Sequence, residues 1–161
     1  MNAQRGVVLI VSLVFLLLLT LLAMSSMQNA TLQEKMAGSL QANTASFQLA
    51  ETLLREAEAQ VRTPGFSLPQ CSSPATCLPP PEALTLTTGG SGASGVRWMS
   101  SDGGFHGIQH IGQTEDPTGG GAAGQVHTLY RVTAIVLQGT SRIVLESIHT
   151  QERRIMWRQR Q

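Results

Sequence analysis

From Val7 to Met24 the chain is apolar except for two hydroxyls, Ser12 and Thr20, and no charge occurs between Arg5 and Glu34. An apolar helix rising 1.5 Å per residue needs about 20 residues to cross about 30 Å of hydrocarbon. Carried on through Met27, the run is long enough, and it reads as a retained membrane-spanning helix. A cleaved secretory signal has a shorter apolar core, about 7–15 residues, ending at a small-x-small site. Arg5 precedes the span and no positive cluster directly follows it. The positive-inside rule therefore sets the N-terminus in the cytoplasm and everything from about Asn29 onward beyond the membrane.

Composition narrows the function classes. Charged residues are 13% of the 161, about half the usual share for a soluble domain. Eleven Lys and Arg against ten Asp and Glu leave a formal charge of +1, so no bulk field marks nucleic acid as a partner. Apolar content concentrated at one end leaves a lean remainder, too little core for a large enzyme.

Helical sequence continues past the span. No proline precedes Pro64, and Gly38 is the only glycine between Gly6 and Gly65. Thr31 to Arg62 is mostly Leu, Gln, Glu, Lys, Met, Ala and Arg, all good helix formers. Leu40, Phe47, Leu54 and Val61 recur every seven residues, with Ala50 and Ala57 between, making one apolar stripe expected to pack on a head domain. Glu51 with Arg55, and Glu58 with Arg62, are acid-first i,i+4 pairs. Thr63-Pro64-Gly65 should stop the helix. One helix from Val7 to Val61 would be about 80 Å long.

Gln4-Arg5-Gly6 before Val7-Val8-Leu9-Ile10-Val11 resembles a type IV prepilin leader. The block Met27-Gln28-Asn29-Ala30-Thr31-Leu32-Gln33-Glu34-Lys35-Met36-Ala37-Gly38, with Phe47, Ala50-Glu51 and Leu54 beyond it, is similar to the N-terminal region of PilX-type minor pilins. Tyr130-Arg131-Val132-Thr133-Ala134 and Val144-Leu145-Glu146-Ser147 echo the same family more weakly.

The resemblance implies that prepilin peptidase cuts after Gly6, leaving Val7 as the N-methylated first mature residue. Most major pilins have phenylalanine there, and glutamate at the fifth mature position, which is Val11 here. In a major pilin that carboxylate would meet the terminal ammonium of a neighbouring subunit. A charge at mid-bilayer costs about 2.5–3.5 kcal/mol on insertion scales, so the pairing matters when a subunit enters a filament. A chain with Val11 neither bears that cost nor makes that contact, which suits an initiating or tip position. Val7, Val11, Phe15, Leu18 and Leu22 would form the filament-packing face. Implied partners are other minor pilins, the major pilin, prepilin peptidase, the inner-membrane assembly machinery and membrane lipid.

The outer part is spare. Six of the seven prolines lie between Pro64 and Pro81, suggesting a stiff extended stretch. Cys71 and Cys77 sit within it, and outside the membrane they read as a local disulfide. Twelve glycines fall between Gly89 and Gly124, read as surface loops; no P-loop context surrounds Gly89-Gly90-Ser91-Gly92 or Gly119-Gly120-Gly121. Val96-Arg97-Trp98-Met99 could add a short edge strand. Thr128–Leu137, a turn at Gln138-Gly139-Thr140, and Arg142–His149 predict a hairpin. In it Tyr130, Val132, Ala134 and Val136 oppose Leu129, Ile135 and Leu137, while Ile143 and Leu145 oppose Val144 and Ile148. The basic tail from Arg153 to Gln161 is compatible with a last strand, a frayed end or a subunit contact.

No residue set supports catalysis. His106 and His110 are four apart, but the surrounding glycines argue against the helix that such a metal site would need. Asp102 and Glu115-Asp116 fit no calcium loop. No catalytic residue, metal ligand or cofactor site is assigned. The expected fold is α+β: a long N-terminal transmembrane-plus-amphipathic helix on a small antiparallel sheet. Its divisions are a leader at 1–6, a membrane helix at 7–28, an amphipathic helix at 29–63 and a Gly/Pro-rich periplasmic head at 64–161. The function expected is a non-catalytic minor pilin of a type IV pilus. The alternatives are a minor pseudopilin of a type II secretion system, or a signal-anchored periplasmic binding protein or enzyme.

Overall fold

The computed structural model describes residues 3–116, 124–139 and 141–160. Met1 and Asn2 of the leader, Gly119-Gly120-Gly121, Thr140 of the hairpin turn and Gln161 lie outside the described residues. The fold is α+β, one long helix with a six-stranded antiparallel sheet. Helix α1 runs Ala3–Val61. It ends where Pro64 and Gly65 (φ 81°) break the pattern, and the Phe66 amide donates back to the Thr63 carbonyl. The chain divides into two units, Met1–Ala42 and Asn43–Gln161; the second includes the last turns of α1.

In the second unit the strands form a simple meander: β1 (Gly90–Ser91), β2 (Arg97–Ser101), β3 (Gly104–Thr114), β4 (His127–Gln138), β5 (Ser141–His149) and β6 (Arg154–Arg160). Asp102 and Gly103, both at positive φ, make the tight turn between β2 and β3, as primed hairpin turns require. Two helical turns, α2 (Pro74–Cys77) and a 3-10 turn at Pro81–Leu84, precede the sheet.

Alternation along β4 and β5 creates two cores. On one face Tyr130, Val132, Ala134, Val136, Ile143 and Leu145 meet Ala50, Leu53, Leu54, Ala57 and Val61 of α1. The alanines let helix and sheet approach closely. On the other face Ile135 and Val144 pack with Trp98, Val96 and Ala83, with Leu86, Phe105 and Leu137 around them.

Three expectations are corrected. The glycine-rich stretch is not all surface loop, because Gly104, Gly107 and Gly112 lie inside the eleven-residue strand β3. The absence of a side chain is used there: a Cβ on Gly104 would collide with the Ile135 carbonyl and a Leu53 methyl, and one on Gly107 with Val96 and the Trp98 ring. The proline-rich stretch is not extended throughout, since Pro74 and Pro81 open helical turns, where proline's missing N–H costs nothing. Arg97–Ser101 is the second strand rather than the edge, because the short β1 pairs outside it.

Candidate functional site

Within Met1–Ala42 every side chain described from Val7 onward is exposed. Val7, Val11, Phe15, Leu18 and Leu22 fall at steps of four, four, three and four, so they share one stripe of α1. The two hydroxyls in the span turn inward: Ser12 Oγ donates to the Leu9 carbonyl at 2.9 Å and Thr20 Oγ1 to the Leu17 carbonyl at 2.8 Å. Both hydroxyls of the apolar run Val7–Met24 are thus satisfied within the helix, as a helix in an apolar solvent would require. The helix is long and apolar enough to cross a membrane. Gly6 lies within α1, directly before the apolar run that begins at Val7.

The stripe expected to pack on the head divides. Leu54 and Val61 are fully buried and Phe47 is half-buried against the same core. Leu40 is 69% exposed, because it belongs to the unit Met1–Ala42, which has no sheet of its own. Leu53, outside the seven-residue spacing, is buried. Its position one residue before Leu54 fits an i,i+3,i+4 stripe, a signal the heptad count passed over.

Two buried carboxylates organise the charge of the head. Glu58 accepts from Arg154 Nε and Nη2, each at 2.8 Å, and from Ser147 Oγ at 2.6 Å. Burial alone would raise its pKa, but the bonds from Arg154 and Ser147 prevail and hold it below the ordinary value. The expected Glu58–Arg62 pair gives way to this longer-range one, while Glu51 keeps Arg55 at 2.6 Å. On the opposite face Glu146, fully buried, accepts from Arg158 Nη2 at 2.7 Å. Arg131 Nε stands 3.5 Å and Arg160 Nη1 3.7 Å from its oxygens. Burial lowers the Arg131 pKa, opposed by Glu146. The tail arginines were visible in the sequence as a basic end; their i,i+2 spacing at Arg158 and Arg160 is the signal of a shared strand face.

Cys71 and Cys77 form a disulfide, with Cα atoms 5.3 Å apart. The loop they close is seated by its backbone. The Cys71 amide donates to the His110 carbonyl at 3.0 Å, and Ser73 with Thr76 forms a capping box that starts α2. Four carbonyls between Thr76 and Ala83 then accept from four successive strands. Thr76 takes Gln109 of β3, Cys77 takes Arg131 of β4 at 2.8 Å, Ala83 takes Arg142 of β5 at 3.2 Å, and Pro80 takes Arg160 of β6 at 3.0 Å. The segment is a strap across the outer face of the sheet.

The histidines do not converge. His106 and His110 lie on β3, an extended strand. The Gln60 amide stands 3.2 Å from His106 Nε2, and His110 Nδ1 donates to the Leu68 carbonyl at 2.9 Å. His149 Nδ1 contacts the Thr150 carbonyl. Burial lowers the pKa of His106 and of His149. Asp102 occupies the β2–β3 turn, and Glu115-Asp116 follow β3. Among the described residues no group of three His, Cys, Asp or Glu is placed to hold a metal ion.

Residues 5–55 match the family model described as PilX N-terminal. No match to the chain was found among curated proteins or solved structures.

Proposed function

We propose that this chain, a type IV pilus-related pilin by its PilX-type residues 5–55, is a minor pilin, a non-catalytic subunit that helps initiate the filament or sits at its tip. The observation that carries the reading is the family match over a segment in which Arg5-Gly6 leads directly into an uncharged apolar helix.

The mechanism is geometric. Prepilin peptidase removes the residues up to Gly6, and Val7 becomes the methylated N-terminus. The apolar helix holds the subunit in the inner membrane with its N-terminus cytoplasmic and its head periplasmic. Assembly machinery then moves that helix from lipid into contact with the helices of other minor pilins and the major pilin. Val7, Val11, Phe15, Leu18 and Leu22 serve as the packing face, and close packing between apolar helices replaces helix–lipid contact. With Val11 in place of a carboxylate, the subunit makes no charge pair with a neighbouring N-terminus, which fits a position lacking one longitudinal partner.

Expression with and without prepilin peptidase tests the class. A peptidase-dependent mass loss of residues 1–6, abolished by Gly6→Leu, supports it; normal maturation of Gly6→Leu, or cleavage near Ala30, overturns it. Deletion of the gene separates pilus from secretion. Loss of surface filaments and twitching supports the pilus reading, whereas loss of exoprotein release assigns the chain to a type II secretion pseudopilus.

A further inference from the structure

The two edges of the sheet are built differently. At one edge β1 has two uncharged residues. At the other, β6 has seven, all exposed or half-buried, with β5 as its only strand neighbour among the described residues. A long open edge offers unpaired backbone groups to another strand, and proteins commonly blunt such edges with charge. Here the charge has one sign. Arg154, Arg158 and Arg160 lie on β6, Arg153 precedes them, and no acid occurs from Arg153 to Arg160. The carboxylates set against them are buried and already engaged, Glu58 by Arg154 and Glu146 by Arg158. Glu146 stands among three guanidiniums, and Arg142 on the same face donates to the Ala83 carbonyl. Glu152, in the turn before β6, is the adjacent exposed acid.

The side chains of β6 alternate in character. Register with β5 sets Met156, Arg158 and Arg160 on the outer face with Ile148, Glu146 and Val144. Trp157 and Gln159 take the helix face, where the Trp157 ring meets Phe47 edge-on at 6.0 Å. Met156 stays 42% and Trp157 40% exposed. Glu58 offsets Arg154, but Glu146 alone faces Arg131, Arg158 and Arg160, so two copies of this edge paired together would set an excess of positive charge from each against the other. Arg158 keeps its side chain 46% exposed, while Arg160, 17% exposed, reaches the Pro80 carbonyl and adds charge beneath it. A strand with acids at alternate positions on the face of Arg158, and apolar residues between them beside Trp157, matches the edge in both sign and pattern. The geometry points to β6 as the docking edge for an extended acidic–apolar segment of a partner protein, which adds to the sheet as a seventh strand. This rests on the head alone and not on the pilin reading.

The test mixes the full chain in detergent micelles with a nine-residue peptide alternating Glu and Val, and follows amide hydrogen exchange. The expected result is at least tenfold slower exchange confined to β6 and its flanks, no protection by the same peptide with Lys for Glu, and about tenfold weaker binding to the Arg158→Gln/Arg160→Gln double variant. The Glu-to-Lys peptide exchange uses the unaltered protein, so it decides the matter even if the variant folds poorly. Equal protection by the Lys peptide overturns the proposal. So does binding of the Glu peptide that leaves β6 exchange unchanged, or tighter binding of a short DNA duplex, which would make the face a phosphate-binding surface instead.

Discussion

Arg154 grips Glu58 through two hydrogen bonds of 2.8 Å across 96 positions of sequence, joining the last strand to the last turns of the helix. The arginine side chain is about one-third exposed and the carboxylate is buried, so the two partners are not equivalent on removal. Arg154→Ala strands a buried anion with Ser147 as its remaining side-chain donor and should cost about 3 kcal/mol. Glu58→Gln leaves Arg154 free to reach water and should cost less, about 1–2 kcal/mol. Chemical denaturation of the detergent-solubilised chain, followed by tryptophan fluorescence, measures both.

The same carboxylate and two histidines set how stability depends on pH. Glu58 has a folded pKa below its unfolded value of about 4.5. Its contribution is present above that value and is lost as pH falls through the folded pKa. His106 and His149 are also depressed, by burial, from about 6.5. Each folds neutral, so stability is fully present above about 6.5 and declines below it as the unfolded chain takes up protons. His149 is faced by Glu58, Arg62 and Arg154, and His106 by Glu56. Denaturation midpoints should fall in two stages, one beginning near pH 6.5 and one below about 4.5. His149→Gln should shrink the first stage and Glu58→Gln the second.

Burial separates two leucines of one heptad stripe. Leu54→Ala removes a fully buried side chain from the helix–sheet core and should cost about 2–5 kcal/mol. Leu40→Ala, at a position 69% exposed, should change the stability of the head by less than about 0.5 kcal/mol. Denaturation midpoints of the two variants should differ accordingly.

Local signals in the sequence carried the α+β class. Unbroken helix formers up to Thr63-Pro64-Gly65 marked α1, and β-branched alternation at 128–149 marked the central hairpin with its two faces, Tyr130, Val132, Ala134 and Val136 against Ile135 and Leu137. β3 was hidden because glycine reads as loop wherever its use is close approach rather than turning. Gly104 and Gly107 matter for what packs on them, which only the tertiary structure shows. The charge clusters were hidden for a related reason. Glu58 had a plausible partner four residues away in Arg62, and nothing local tells that Arg154, arriving from another strand, satisfies it better. The apolar stripe from Val7 to Leu22 was legible because a helix long and apolar enough to cross a membrane carries a long uniform pattern. The strap over the outer face was not, since its contacts are made by backbone carbonyls that leave no mark on residue identity.

At Gly104 and Gly107 the prediction is steric. An added methyl at Gly104 meets the Ile135 carbonyl and Leu53, and at Gly107 it meets Val96 and Trp98. Backbone and a buried indole yield little, so each alanine substitution should destabilise by about 1–3 kcal/mol. Gly38→Ala, with nothing within 4 Å of the new methyl, should be neutral or slightly stabilising through helix propensity. Circular dichroism melts of the three variants would rank them.

The disulfide holds one end of the strap. Cys71 and Cys77 are six positions apart, and closing so short a loop in the unfolded chain contributes about 2–3 kcal/mol in the chain-entropy model. The Cys77 carbonyl also accepts from Arg131, which in turn donates to Gln109 Oε1 at 2.7 Å and faces Glu146. A loosened strap would therefore admit water to buried charges that are held dry between strap and sheet. The Cys71→Ser/Cys77→Ser double variant should lose at least the loop contribution, and amides of residues 71–83 should exchange faster than those of the hairpin β4–β5, which keeps its own ladder. Denaturation and hydrogen exchange on the double variant measure the two effects separately. A loss under about 0.5 kcal/mol with unchanged exchange at 71–83 would mean that the four carbonyl contacts, rather than the sulfur bridge, keep the strap in place.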